Sequence, residues 1–569
     1  MKLIICEKPS VAMNIGKVLN VKGRKDGYLE DDNYVISWCI GHLIGMATPE
    51  VYDEKYKTWR IEDLPIIPKA YQYEVLPRVK KQYGILKKLL KRKDIDEVVN
   101  ACDSGREGEL IFRLVYNHTG CRKKIKRLWI SSMEDKVIKE GMDNLKEGSN
   151  YENLYDSAVA RQWADWLIGM NGSRLYSKLY NSNYSIGRVQ TPTLAMIVKR
   201  DEEIRKFKPE KYFVVDLVGE EYSLSTKRID DPVIAEQIKN TIPKTLTIDE
   251  IEESQKTTKP DKIYDLTKLQ REANKIYGFS AKQTLDYAQS LYEKKLITYP
   301  RTDSCYLSEE MSKDSVVDLV TKLEKDIVIN TDNLNGIFNS KKVSDHHGII
   351  PTQSSIHYDM GTVPESEKKV YDLIKYKLIM ACSDNLIENK TKVKALFDNM
   401  EFFASGNVVT EEGFTKYMIK DKKETILPKI HKGDEFEIKE VKISEKYTSP
   451  PKQYTEETIL KAMELAGKEK IEKGIEVERV GLGTPATRAS IIENLIYKKY
   501  IKRDGKKLIP THNGIAVISV VAEELTSPEM TADWENKLAK IASGEMNREM
   551  FMNDITHLLR ELIEPYRKI

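Results

Sequence analysis

Acidic side chains follow two apolar stretches that have the composition of buried strands. Glu7 comes directly after KLIIC, and Asp103 comes directly after IDEVVNAC. Because the carboxyl ends of parallel strands share one edge of a sheet, these acids can converge although 96 positions separate them. Carboxylates brought together raise one another's pKa unless a cation relieves the repulsion, and such oxygen ligands suit Mg²⁺. The pattern predicts a Mg²⁺ site; the alternative for Glu7 alone is a solvated strand end.

A tyrosine and an arginine stand two positions apart in LITYPRTDS, residues 296 to 304. In an extended strand Arg301 projects from the same face as Tyr299. The segment directly follows a predicted helix, whose start is indicated by the capping box that Ser280 and Gln283 form. The sequence therefore places a phenol and a guanidinium on one face of a short strand.

Two further stretches carry arginines in defined local settings. Arg161 and Asp165 lie four positions apart on one face of a helix predicted over 155–177, a spacing typical of a surface ion pair. A glycine stands beside Arg188 and Gln190, just before a threonine-proline helix start. Close backbone approach at a glycine, together with an arginine, suits a phosphate.

The middle of the chain predicts a mostly β domain that the chain enters and leaves twice. Residues 206–258 and 377–450 contain alternating patterns such as YFVVDLVG and FEIKEVKI. A helical block stands between them, and LITYPRTDS belongs to this block.

A short internal repeat places LITYPRTDS within a unit that occurs twice. LYEKKLI at 291–297 and LIYKKYI at 495–501 share L-x-x-K-K-x-I at the end of a predicted helix. After the second copy, the turn at Asp504 and Gly505 predicts a hairpin, which gives the outline of a winged-helix unit that binds DNA. The alternative is an ordinary small α/β subdomain.

Length, composition and charge limit the classes of protein to which this chain can belong, but they do not identify what it binds. A length of 569 residues predicts three to five domains, and no apolar run is long enough for a membrane span. The N-terminus lacks a secretory pattern, so we expect a cytoplasmic protein. Six scattered cysteines exclude a local zinc ribbon or disulfide framework, and a net charge of +3 leaves room only for a local basic channel.

Taken together, seven stretches in order resemble those of type IA DNA topoisomerases, and among these the bacterial topoisomerase III group. They are CEKPS around Glu7, DSGREGE at 103–109, ARQWADWLIG at 160–169, SIGRVQTPTLA at 185–195, LITYPRTDS around Tyr299, SDHHGIIPT at 344–352 and GLGTPATRASIIE at 481–493. The resemblance covers nearly the whole chain, and seven ordered motifs are far more specific than any one of them.

The resemblance implies a multidomain α/β plus α+β fold in which a Toprim domain, two winged-helix-like (CAP-like) domains and a β-rich arch form a toroid. The implied boundaries are 1–150 for the Toprim domain, 151–205 and 452–569 for the DNA-groove domain, 206–258 and 377–451 for the arch, and 259–376 for the catalytic-tyrosine domain. The family's zinc ribbon or basic tail is not expected after MTADWENKLAKIASGEM.

The resemblance also implies roles at the reacting phosphate. Tyr299 is the nucleophile that forms a 5′-phosphotyrosyl link, and a phenol with a pKa of about 10 leaves readily enough to keep the step reversible. Arg301, Lys8 and His346 contact the phosphate, and Glu7 exchanges a proton with the 3′-oxygen. No ATP is required, and the sequence has no G-x-x-x-x-G-K-[ST] loop.

The implied metal ligands depart from the commonest family pattern. Glu7, Asp103 and Glu107 are the expected Mg²⁺ ligands, but Gly105 stands where the D-x-D-x-E signature has its second acid. Fewer carboxylates weaken metal binding, so we expect one Mg²⁺ rather than two.

The implied DNA-binding residues hold the single strand upstream of the cut. They are Arg161, Asp165, Ser185, Arg188 and Gln190.

The expected activity is relaxation of negatively supercoiled DNA by a monomer that cuts one strand, passes another through the break and rejoins the first. Decatenation, action on RNA and a helicase partner are open. Two other classes are compatible with parts of the pattern: a Toprim-type nuclease, and a scaffold that binds single-stranded nucleic acid without cutting it.

Overall fold

The computed structural model describes residues 1–343, 346–419, 424–467 and 481–567. Ser344 and Asp345, which begin the SDHHGIIPT motif, lie outside the described residues. Within the described ranges, no helix has the length and apolar character that crossing a membrane requires.

The first part of the chain folds around a mixed sheet, which we call the N-terminal sheet. Its strand order is β2-β3-β4-β1-β7-β8-β9, and β5 pairs with β6 beside it. The strands are β1 (Lys2–Cys6), β2 (Gly23–Lys25), β3 (Tyr28–Glu30), β4 (Tyr34–Trp38), β5 (Ile44–Met46), β6 (Tyr73–Val75), β7 (Glu97–Ala101), β8 (Lys124–Arg127) and β9 (Lys146–Glu147). The helices are α1 (Pro9–Val18), α2 (Pro49–Tyr52), α3 (Lys80–Leu90), α4 (Arg106–His118) and α5 (Asp135–Asp143).

The predicted convergence of the two strand ends is confirmed. The central strand β1 pairs in parallel with β7, and Cys6 lies opposite Ala101. Helices cover both faces of the sheet, which is why β1 is a continuous apolar run instead of an alternating one. Glu7 and Asp103 therefore leave the sheet at the same edge.

Two long helices and an antiparallel sheet come next along the chain. The predicted helices are confirmed as α6 (Glu152–Leu179) and α7 (Gln190–Lys206). The sheet, with strand order β15-β12-β13-β14-β11-β10-β16, draws on two separate stretches as predicted. Its first stretch contains β10 (Lys211–Val218), β11 (Ser223–Thr226), helix α8 (Pro232–Thr241) and β12 (Thr245–Thr258).

The segment that carries Tyr299 is helical and is inserted into this sheet; we call residues 259–382 the Tyr299 unit. It contains α9 (Leu266–Tyr277), α10 (Ala281–Glu293), α11 (Lys313–Leu323), α12 (Thr331–Gly336) and α13 (Glu365–Cys382). Since α13 continues to Cys382, the second β stretch begins later than residue 377. It contains β13 (Leu386–Phe397), β14 (Met400–Glu411), β15 (Glu435–Glu437) and β16 (Glu440–Tyr447).

The last part of the chain packs against α6 and α7 in one hydrophobic cluster. Its elements are α14 (Glu456–Leu465), α15 (Pro485–Tyr497), β17 (Ile501–Asp504), β18 (Lys507–Pro510), α16 (His512–Val520), α17 (Glu523–Thr526), α18 (Pro528–Ser543) and α19 (Arg548–Ile563).

The internal repeat is confirmed at the level of individual hydrogen bonds. Two residues after the last residue of α10 and of α15, the chain has a lysine with positive φ, 66° at Lys295 and 57° at Lys499. The next N–H in each copy donates to a leucine carbonyl five residues back, at 2.9 Å in both cases. Identical helix ends indicate one structural unit used twice.

The two copies differ in the segment that comes after the helix. In the second copy Ile501 pairs with Pro510 across the predicted hairpin of β17 and β18. In the first copy the equivalent pair is Ile297 with Pro351, so that residues 298–350 replace the hairpin tip. Tyr299 therefore lies at the position where the second copy continues into its β-hairpin.

The left-handed residue that follows α15, Lys499, gives a prediction about stability. A side chain at Lys499 crowds the preceding carbonyl, and glycine relieves this at some cost in the unfolded chain. Lys499→Gly should raise the free energy of unfolding by about 0.5–1 kcal/mol in urea denaturation. Lys499→Ala keeps Cβ and serves as the control. Equal effects of the two substitutions would contradict the prediction.

Candidate active site

A cavity of about 640 Å³ forms where the carboxyl edge of the N-terminal sheet meets α6, α15 and the Tyr299 unit. All the predicted site residues line it except Lys8 and Ser185. Those that line it are Glu7, Asp103, Glu107, Arg161, Asp165, Arg188, Gln190, Tyr299, Arg301 and His346. Residues from distant parts of the sequence thus share one cavity.

Tyr299 is almost fully buried against the sheet edge. Its Oη donates a hydrogen bond to Oδ2 of Asp103 at 3.2 Å, and its backbone N–H donates to the carbonyl of Ser131 at 3.0 Å. Burial, and then the charge of Asp103, raise the pKa of Tyr299 well above its ordinary value, while Arg301 acts in the opposite direction. The phenol is therefore neutral at rest and needs a proton acceptor when it reacts.

Arg301 lines the same cavity as the phenol, in agreement with the expected strand alternation. Its Nε is buried and makes no hydrogen bond to any described residue. Of the acids around it, Asp103 and Glu7 interact most strongly with the guanidinium. A cation in this state is suited to an anionic ligand.

Glu7 is 5% exposed and lies close to Asp103. Burial, followed by the charge of Asp103, raises the pKa of the Glu7 carboxyl to about 7. The neighbouring Lys8 does not line the cavity; its Nζ lies 3.4 Å from Oε1 of Glu293 on α10. In this structure Lys8 thus connects the sheet edge to the Tyr299 unit.

His346 is held between the nucleophile candidate and the sheet. Its Nε2 donates to the carbonyl oxygen of Ser104 at 2.6 Å, and its ring lies 4.3 Å from that of Tyr299. The ring of Trp129 is stacked with that of His346 at a centroid distance of 6.1 Å. Trp129 was not predicted, because no local motif indicates it.

Glu107 makes ion pairs that the sequence did not predict. Arg161 donates to one of its oxygens, and Nε2 of His42 lies 2.6 Å from the other. Burial opposes the charge, but these two partners hold the pKa of Glu107 at about 2. The expected pairing of Arg161 with Asp165 is therefore wrong: Arg161 pairs with Glu107 on α4, while Asp165 accepts from Nε of Arg188 at 2.8 Å.

The carboxylates partly fit a divalent cation. Burial, and then the charge of Asp103, raise the pKa of Glu7, and a cation bound between the two carboxylates would offset the effect of Asp103. Among the described residues, however, no group of three or more His, Cys, Asp or Glu side chains is arranged as metal ligands. Glu7 and Asp103 fit best, and the part of Glu107 stays a prediction.

Gly105 explains why a further acid is missing from this site. It precedes α4 with φ 147° and ψ 174°, a conformation that is almost confined to glycine. A Cβ there would meet no atom within 4 Å, so there is space for a side chain. It is the backbone angle that disfavours one.

Two of the predicted DNA-binding residues, Asp165 and Arg188, belong to a buried ion-pair network. Arg188 donates through Nε to Asp165 at 2.8 Å and through Nη1 to Glu535 at 2.9 Å. Arg106 approaches the other oxygen of Glu535 at 3.5 Å, and Trp534 lies under the Arg188 guanidinium. Glu535 was not predicted, although an acid on the apolar face of α18 was the available signal.

The network predicts acid-sensitive stability. The arginines lower the pKa of Glu535 from 4.5 to about 2, so its contribution is complete above about pH 4.5 and is lost as the pH falls towards 2. Glu535→Gln should cost about 3–5 kcal/mol in unfolding free energy near neutral pH and flatten this acid dependence. Exposed Glu549→Gln is the control. An unchanged slope between pH 4.5 and 2 would contradict the assignment.

Known protein families and related proteins match nearly the whole chain. The family described as "DNA topoisomerase" matches residues 149–553, and the Toprim domain family matches residues 2–133. DNA topoisomerase 3 of Bacillus licheniformis is 39% identical, and the match covers 99% of this chain and 81% of that one. DNA topoisomerase 3 of Bacillus subtilis is 38% identical over 97% of this chain and 80% of its own.

A solved structure of similar fold is that of full-length topoisomerase I from Thermotoga maritima. It has a TM-score of 0.78 and 24% identity, and the match covers 100% of this chain and 90% of that one. This likeness confirms the expected multidomain α/β plus α+β toroid. The chain belongs to the type IA DNA topoisomerases, within the topoisomerase III group.

Proposed function

We propose that this protein cuts one strand of negatively supercoiled DNA through Tyr299, passes a second strand through the break and rejoins the first. The observation that carries the proposal is the Tyr299 phenol, which points at Asp103 in a cavity shared with Arg301. The family membership supplies the reaction class, and the geometry supports the residue roles.

The cutting step requires one bond to form and one to break. Oη of Tyr299 attacks the phosphorus, the bond from phosphorus to the 3′-oxygen breaks, and a 5′-phosphotyrosyl link remains. The phenol proton passes towards Asp103, and the neutral form of Glu7 donates a proton to the departing 3′-oxygen. Rejoining reverses each transfer, so that no ATP is consumed.

Arg301 stabilises the charge on the phosphate, and His346 keeps the phenol in place. Arg301 brings to the non-bridging phosphate oxygens a half-buried guanidinium whose Nε makes no hydrogen bond within the described residues. His346 packs its ring on Tyr299 and is tied to the sheet edge by its bond to Ser104. Asp103, together with Glu7 when it is ionised, would hold Mg²⁺, which when bound would neutralise the carboxylates and the phosphate.

The size of the cavity favours a single strand. About 640 Å³ is the volume of a small-molecule pocket and accommodates a few nucleotides but no duplex. Negative supercoiling favours local melting and thereby supplies single-stranded DNA. Passage of a second strand requires the Tyr299 unit to move away from the N-terminal sheet, which agrees with the domain boundaries proposed from the sequence.

The nucleophile assignment is tested with a labelled single-stranded oligonucleotide and Mg²⁺, stopped with detergent. Tyr299→Phe should lower cleavage by about 10⁴-fold or more and abolish protein attachment to the 5′ end. Tyr292 is the matched control, because it is equally buried and its ring lies 5.3 Å from that of Tyr299. Tyr292→Phe should retain the 5′ attachment.

Other outcomes assign other classes. Cleavage with free ends that persists in Tyr299→Phe would indicate a Toprim-type nuclease. Binding without cleavage in the unsubstituted protein would indicate a scaffold for single-stranded nucleic acid.

The metal proposal predicts one tight Mg²⁺ site. Calorimetric titration of metal-free protein should give a single class of site with a stoichiometry near one, and Asp103→Asn should remove it. Gly105→Asp should not add a second site, because φ 147° disfavours any side chain there. Two equally tight sites in the unsubstituted protein would contradict the prediction.

A further inference from the structure

The charges around the cavity are unfavourable for a polyanion. It is lined by more carboxylates than guanidiniums: the acids are Glu7, Asp103, Glu107, Asp165, Asp265, Asp303, Glu464 and Glu535, and the bases are Arg106, Arg161, Arg188, Arg301 and Arg488. Three of these arginines are already bound to carboxylates, in the pairs Arg161 with Glu107, Arg188 with Asp165 and Glu535, and Arg106 with Glu535. A bound strand therefore needs further cations for its phosphates.

One face of α15 leads from the cavity to such a cation. Thr487, Ile491 and Asn494 line the cavity at helical spacing. The next position on this face is Lys498, immediately after the end of α15. Its Nζ donates a hydrogen bond to Oγ of Ser185, the DNA-binding candidate that lies outside the cavity itself.

Lys498 is a partly buried cation without a counterion. Its ammonium makes no ion pair with any acid in the described ranges of the chain, whereas other lysines near the active site, such as Lys8, do. Burial lowers its pKa, and no neighbouring charge offsets that effect. Such a group is stabilised when an anion binds beside it.

The loop that presents Ser185 is fixed from two sides. The backbone N–H of Ser185 donates to Oη of Tyr500 at 2.8 Å, and the carbonyl of Ser185 accepts from Nε2 of Gln190 at 3.2 Å. Because the Ser185 hydroxyl accepts from Lys498, its own proton is available to a ligand. The site therefore offers an ammonium and a hydroxyl that both donate, which matches phosphate oxygens better than a base edge with mixed donors and acceptors.

We propose that Lys498 and Ser185 together bind a backbone phosphate of the cleaved strand at the outer end of the cavity. The inference rests on the proposed function and adds a strand-positioning contact to it, outside the group that reacts. Lysine suits this role, because a flexible point charge holds a phosphate without selecting a sequence.

The salt dependence of binding tests the proposal. Affinity for a labelled single-stranded oligonucleotide is measured over a range of salt concentrations, in the Tyr299→Phe background so that no covalent complex forms. Each phosphate contact contributes about 0.7 to the slope of log affinity against log salt. Lys498→Met should reduce the slope by about 0.7 and weaken binding about fivefold at about 0.1 M salt.

Three comparison variants separate a phosphate contact from a structural role. Lys498→Arg should restore the slope, and Ser185→Ala should weaken binding while leaving the slope unchanged. Lys239→Met removes an exposed charge on α8, away from the cavity, and should behave like the parent.

Two results would overturn the proposal. If Lys498→Met lowers affinity but keeps the parental slope, Lys498 only supports the loop around Ser185. If both affinity and slope stay unchanged, Lys498 makes no contact with the strand. Failure of the proposed function is distinguishable from both, because the unsubstituted protein would then form no 5′ attachment, whether or not the parent binds the strand in a salt-dependent way.

Discussion

Repulsion among carboxylates at the carboxyl edge of the N-terminal sheet is the constraint around which this molecule is arranged. Glu7 and Asp103 meet there because β1 and β7 are parallel neighbours. Buried charges without partners cost several kcal/mol each, so compensating groups have to come from elsewhere in the chain. The network of Arg161 and Arg188, and the guanidinium of Arg301, surround this edge and close the cavity.

Part of the boundary around the cavity consists of polar contacts that can separate. The contacts between the Tyr299 unit and α14 include the ion pair of Arg271 with Glu457, whose side chains are 22% and 24% exposed. Ion pairs that are partly exposed exchange partners with water at little cost. Contacts of this kind can break and re-form without an external energy source, which is consistent with a reaction that conserves phosphodiester bond energy.

The repeated unit shows how one local structure serves two purposes. In both copies a left-handed lysine follows the helix, and the chain returns through an isoleucine–proline pair. In the first copy the long insertion after Ile297 delivers Tyr299 to the sheet edge. In the second copy the hairpin stays short, and α15 contributes a face to the cavity and the cation that we propose for the strand.

The local elements and the chemical class of the site could be predicted from the sequence. The strands before Glu7 and Asp103, the capping box at Ser280, the hairpin at Gly505 and the repeat depend on residues a few positions apart, and all are confirmed. The order of the motifs carried the family, and with it the choice of Tyr299 as the proposed nucleophile.

The ion-pair partners of the charged residues could be learned only from the way the units pack in three dimensions. The local rule paired Arg161 with Asp165, but such a pair is worth about 0.2–0.5 kcal/mol on a helix surface. In the fold, Arg161 instead meets Glu107, and Arg188 meets Glu535 across 347 positions. The partners of a buried charge are chosen by desolvation, which depends on how whole units pack, and sequence spacing contains no measure of that packing.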